Sequence, residues 1–86
     1  MVFDESLEGI TMKAYVFITV APGRCADVVA TIRRVGGVKS ADICWGLPDI
    51  VALVEAADAT TLQKLVLDKI QQITGVNQTA THIIFE

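Results

Sequence analysis

Residues 38–56 read VKSADICWGLPDIVALVEA, and this stretch decides the fold. Two runs suited to strands, VKSADICW at 38–45 and IVALVEA at 50–56, flank GLPD, whose Gly and Pro signal a turn. The stretch therefore predicts an antiparallel hairpin. Upstream, KAYVFITV at 13–20 is dense in β-branched and aromatic residues and predicts another strand. Its alternation puts Ala14, Val16, Ile18 and Val20 on one face and Tyr15, Phe17 and Thr19 on the other. Pro22-Gly23 ends that strand. Cys25, Val28, Val29 and Ile32 then recur at helical spacing and predict a helix over 24–35, closed by Gly36-Gly37. Downstream, Asp58 is placed to cap a helix over 59–74. Its apolar stripe is Leu62, Leu65, Val66, Ile70 and Ile73, and Gly75 stops it. VNQTATHIIFE at 76–86 reads as the last strand.

The order is βαββαβ, and an internal repeat supports it. Ile32, Val35, Gly37 and Val38 match Ile70, Ile73, Gly75 and Val76 at a constant offset of 38 residues. Two βαβ-like halves with right-handed crossovers give an α+β, ferredoxin-like domain, a four-stranded antiparallel sheet with both helices on one face. The domain spans 13–86; residues 1–12, without a consistent period, form an N-terminal arm or extension. The second face of the sheet is left uncovered, yet the first and third strands are apolar on both sides. Tyr15, Phe17, Val51 and Leu53 are therefore expected to form the interface of a face-to-face homodimer.

Composition agrees with a chain that needs partners. Of 86 residues, 52% are apolar and only 20% charged, whereas a domain of this size buries only roughly 60% of its unfolded surface. The net charge of −3 comes from Asp4, Glu5 and Glu8, so seven basic and seven acidic residues remain in 13–86. The basic ones are scattered, and direct nucleic-acid binding is not expected. No apolar run approaches the roughly 20 residues of a membrane span, and nothing at the N-terminus resembles a secretion signal. Two distant cysteines, Cys25 and Cys44, and one histidine supply neither a metal framework nor a disulfide framework; both cysteines read as small buried hydrophobes of a cytoplasmic protein.

No recognisable catalytic set, metal site or cofactor motif is present, so an enzyme is not expected. His82 reads as a packed or half-exposed strand histidine rather than a base or ligand, and Gly36-Gly37 as a helix stop rather than a phosphate loop. Two features remain. The turn at 45–49 brings backbone amides, the Asp49 carboxylate and the only tryptophan to one end of the sheet. It is either a plain hairpin turn, with Asp49 bonding locally, or a site for a small zwitterion such as an amino acid. Thr79 and Thr81, two apart, present hydroxyls on one face of the last strand, though β-propensity alone would also account for them.

These residues carry a resemblance. Gly37-Val38, the Gly46-x-x-Asp49 turn running into a hydrophobic strand that ends in Glu55, Leu65-Val66, Ile70 and Ile73, Gly75-Val76 and Thr79-x-Thr81 together are similar to the effector-binding (RAM) domain of the Lrp/AsnC, or feast/famine, regulators. The likeness covers 13–86. It implies dimers paired through their sheets, dimers assembled into octameric or decameric rings, and small effectors, typically amino acids, held between neighbouring dimers. Gly46, Asp49, Thr79 and Thr81 match positions lining that pocket, and Leu47 and Pro48, inside the same turn, are expected beside the ligand. Leu47-Pro48 departs from the usual pattern, in which an aromatic residue precedes the aspartate. Relatives usually carry an N-terminal helix-turn-helix, for which 12 residues are too few, so the chain resembles the stand-alone form.

The resemblance implies an amino-acid sensor for transcription regulation. The alternatives are an interaction module that co-assembles with full-length relatives or with another enzyme, a small enzyme of the dimeric α+β barrel type, and an ACT-like regulatory domain.

Overall fold

Residues 11–85 are described by the structure, a computed structural model. The chain runs β1 (Met12–Val20), α1 (Cys25–Arg33), β2 (Val38–Ile43), β3 (Ile50–Ala56), α2 (Ala59–Lys64, continued by a π-helical turn, Leu65–Ile70) and β4 (Val76–Ile83). The expected α+β, ferredoxin-like arrangement is present, with the four strands in the order β2-β3-β1-β4 and every pairing antiparallel. The pairs are β1 with β3, β1 with β4, and β2 with β3, so each ladder joins one βαβ half to the other.

The core lies between the sheet and the helices, on the faces that the alternation predicts. Ala14, Val16 and Ile18 of β1 and Ile50, Ala52 and Val54 of β3 are fully buried, together with Val28 and Ile32 of α1 and Leu62 and Ile70 of α2. On the other side of the sheet Tyr15 is paired with Leu53 and Phe17 with Val51. These four expected interface residues form one block, which β4 extends with His82 beside Tyr15 and Ala80 beside Phe17. The His82 ring stands edge-on to Phe17, with centroids 4.9 Å apart and 79° between planes.

The 38-residue repeat is a repeated turn. After α1, Val35 N–H donates to the Ile32 carbonyl and Val38 N–H to that of Val35; after α2, Ile73 and Val76 donate to Ile70 and Ile73 in the same way. Gly37 and Gly75, with φ of +96° and +104°, make the last step into a strand. Each turn then bonds across the halves, the Gly37 carbonyl accepting from Glu55 N–H at 2.8 Å and that of Gly75 from Ala21 N–H at 2.8 Å.

Four elements depart from the sequence expectation, the last strand among them, which ends at Ile83 rather than 86. The first helix ends at Arg33 rather than 35, because the Arg34 and Val35 amides bond three residues back to Thr31 and Ile32 and tighten the chain out of the α-helix. The second strand stops at Ile43 rather than 45: Cys44 N–H closes the hairpin on the Asp49 carbonyl at 2.7 Å, and Trp45 beyond it stands clear of the sheet. The second helix, expected as regular over 59–74, widens after Lys64, with Gln71 N–H reaching back five residues to Val66. The stripe itself supplies a reason. Leu62, Val66 and Ile70 are four apart, a spacing that drifts around a helix of 3.6 residues per turn, and a wider turn keeps all three on the sheet.

Asp58 caps α2 as expected, its Oδ1 accepting from Thr61 N–H at 2.7 Å. The arm expected over 1–12 lies almost wholly outside the described residues; Thr11, next to β1, donates its hydroxyl to Glu55 at 2.6 Å. Among the described residues no helix is long and apolar enough to cross a membrane.

Candidate ligand-binding site

Thr79 is paired with Ile18 and Thr81 with Val16, two core positions, so both threonines point to the helix side of the sheet. Because β4 is an edge strand, their side chains meet only the flank of α2. The result is a groove of about 280 Å³ between β4 and α2. Leu62, Val66, Leu67 and Ile83 supply its apolar walls. Its polar groups are Thr79, Thr81, Gln63 and Gln71, and Gln71 Nε2 donates to Thr79 Oγ1 at 2.7 Å. Gln71 reaches this bond from the end of the π-helical turn. The sequence reading brought out the threonines and missed Gln63, Leu67 and Gln71. A helix wheel drawn with α-helical spacing does not bring Gln71 to β4, and the spacing of four in the apolar stripe fits a regular helix nearly as well as the wide turn.

The other candidate residues occupy the end of the sheet. Asp49 is fixed three ways: its Oδ2 accepts from Val20 N–H at 2.8 Å, its N–H donates to Ile18 at 3.0 Å, and its carbonyl accepts from Cys44. One side chain thereby ties the β2–β3 turn to β1. Gly46 has φ of +109°, the Leu47–Pro48 peptide is cis, and Leu47 is 82% exposed. Asp49 and Thr79 flank the same residue, Ile18, from opposite sides. Gly46, Leu47, Pro48 and Asp49 are nonetheless not among the residues lining the α2–β4 groove. Within one chain the structure thus brings Thr79 and Thr81 together and leaves the turn outside their groove.

Two carboxylates are held below their ordinary range. Glu55 is lowered chiefly by the Thr11 hydroxyl, with Lys39 at 3.4 Å helping, and Asp58 by the Thr61 amide. Neither borders the groove. Cys25 and Cys44 are free and only half-buried, less enclosed than expected: Cys25 is at the edge of the core, and Cys44 lies where the chain leaves the sheet. Among the described residues no group of three or more His, Cys, Asp or Glu is placed to hold a metal.

Over residues 13–86, the domain just described, the sequence matches the Lrp/AsnC ligand binding domain. The chain belongs to this family. Among solved structures, TTHA0845 from Thermus thermophilus is 28% identical, with a TM-score of 0.83 over 87% of this chain and 94% of that one. AsnC of E. coli has the same fold, with a TM-score of 0.84 at 21% identity, over all of this chain and 58% of its own. The HTH-type transcriptional regulator PF0250 of Pyrococcus furiosus is 37% identical over 59 residues, 69% of this chain and 39% of that protein. This Lrp/AsnC domain thus aligns with about two fifths of the length of the curated relatives it matches, which are transcriptional regulators.

Proposed function

We propose that this domain is an oligomerising, cytoplasmic sensor of a small molecule, an amino acid, that acts in transcription regulation. The observation that carries the reading is the pair Thr79 and Thr81, held on one face of an edge strand and opening into a groove with apolar walls. Neutral hydroxyls orient a ligand while aliphatic walls take up its apolar part, which is the usual composition of a small-molecule site. Asp49 and the Gly46-Leu47-Pro48 turn, outside the groove of their own chain, would meet the ligand from a neighbouring copy. A solved neighbour with a TM-score of 0.82 and 17% identity, NMB0573 of Neisseria meningitidis, forms a complex with L-Met, which supports an amino acid as the ligand class here.

The apolar block of Tyr15, Phe17, Val51 and Leu53 supports a dimer that pairs through its sheets, and rings of dimers would bring turn and groove together. A ligand at such a junction alters the assembly only by binding one state more tightly than another. The test is thermal unfolding against the twenty amino acids at millimolar concentration, with light scattering on those that respond. A ligand at about 100 times its Kd adds about 2.7 kcal/mol to stability and raises the midpoint. Thr81→Val should abolish the rise; Asp49→Ala is the poorer variant, because it also releases Val20 N–H. A well-folded oligomer that responds to none of the twenty would favour the second reading, an assembly module that joins full-length relatives, for which the exposed Trp45 and Leu47 speak.

A further inference from the structure

We infer that the α2–β4 groove is a specificity pocket for an uncharged group, so that this domain takes effectors with neutral side chains and rejects acidic and basic ones. The inference rests on the proposed reading of the groove as an effector site and names the class of ligand it admits. No lining residue carries a formal charge: Leu62, Val66, Leu67 and Ile83 are aliphatic, and the polar groups are two amides and two hydroxyls. The charges of α2 are nearby but turned away, for Lys64, Asp68 and Lys69 border a different concavity, beside Gly36.

A carboxylate or ammonium settling in the groove would give up part of its hydration against these aliphatic walls without meeting a counter-ion, which disfavours it relative to a neutral group. A neutral group meets no such barrier. Gln71 uses one N–H on Thr79 and keeps its carbonyl, while the Thr79 and Thr81 hydroxyls both donate and accept. The groove therefore matches an aliphatic or amide-bearing group. At about 280 Å³ it falls just below the roughly 300–1,000 Å³ of pockets for whole drug-sized ligands, room enough for a side chain.

Isovaleramide, a branched aliphatic amide with neither ammonium nor carboxylate, tests the pocket apart from any amino-acid recognition. Titrated into the isotope-labelled full chain, it should shift the Gln71 side-chain amide and the Thr79 and Thr81 methyl resonances. Leucine and methionine should shift the same signals; lysine, arginine, aspartate and glutamate at equal concentration should not. Gln71→Glu, which leaves an acceptor facing Thr79, should weaken isovaleramide at least tenfold and admit lysine. Charged amino acids that perturb the groove of the unaltered chain as strongly as leucine, or isovaleramide that leaves it untouched, would overturn the inference. If isovaleramide binds and no amino acid does, the pocket stands and the amino-acid sensor falls.

Discussion

Gly37 and Gly75 are matched in the sequence repeat, and the structure shows what each position requires. Both have a backbone conformation that L side chains rarely adopt, and both lie against the helix of the opposite half. A Cβ on Gly37 would stand 2.5 Å from Leu65 Cδ1 and 3.1 Å from the Glu55 carbonyl oxygen; on Gly75 it would stand 3.0 Å from Val28 Cγ2. Gly36, by contrast, has open space and a negative φ. Urea unfolding should therefore show Gly37→Ala and Gly75→Ala losing about 1–3 kcal/mol or more, and Gly36→Ala close to unchanged. A large loss at Gly36 as well would show that the repeat is not the reason for the glycines. These positions were legible because glycine after an apolar stripe has few other uses. The bond from Val20 N–H to Asp49 was not: it spans 29 residues, and no local pattern distinguishes a carboxylate that caps a distant strand from one that faces a ligand.

In α2 the two ends differ in how far the sequence discloses them. The start was plain, since Asp58 before Ala-Thr-Thr is a capping arrangement, and the bond to Thr61 bears it out. The wide turn from Leu65 to Ile70 was hidden, because an apolar spacing of four suits an α-helix nearly as well as a looser one. The cap has a pH signature. The folded-state pKa of Asp58 is lowered from its ordinary 3.8 by the Thr61 amide, and that of Glu55 from 4.5 by the Thr11 hydroxyl first. A depressed carboxylate contributes stability that is fully present above the unfolded value and is lost as pH falls through the folded one. The unfolding midpoint should thus be level down to about pH 5 and decline below it. Asp58→Ala should lower the midpoint at pH 7 and flatten that decline, and Asp58→Asn, which still accepts from Thr61, should recover the midpoint but not the pH dependence. An Asp58→Ala protein with an unchanged acid profile would assign the decline to other carboxylates.

For the whole molecule, alternation along β1 and β3 was enough to read which side of the sheet holds the core and which is uncovered. It was not enough to place β4, whose alignment against β1 decides that His82 and Ala80 join the uncovered face while Thr79 and Thr81 join the groove. Tyr15, at 45% exposure, and its half-buried neighbours Phe17, Val51 and Leu53 are the residues on which the proposed dimer depends. Phe17→Lys should halve the smallest species seen by sedimentation while far-ultraviolet circular dichroism keeps its shape. An unchanged mass would place the dimer contact elsewhere. The interleaving of the halves also bears on how the chain comes into being. While the protein is synthesised, β1, β2 and the helix between them emerge first, and neither strand finds in that segment a neighbour to pair with. The sheet cannot begin until Ile50–Ala56 is free to pair, so β1, apolar on both sides, waits without a strand partner while α1, β2 and the turn after them are made, and over that interval it is the stretch most open to non-native association.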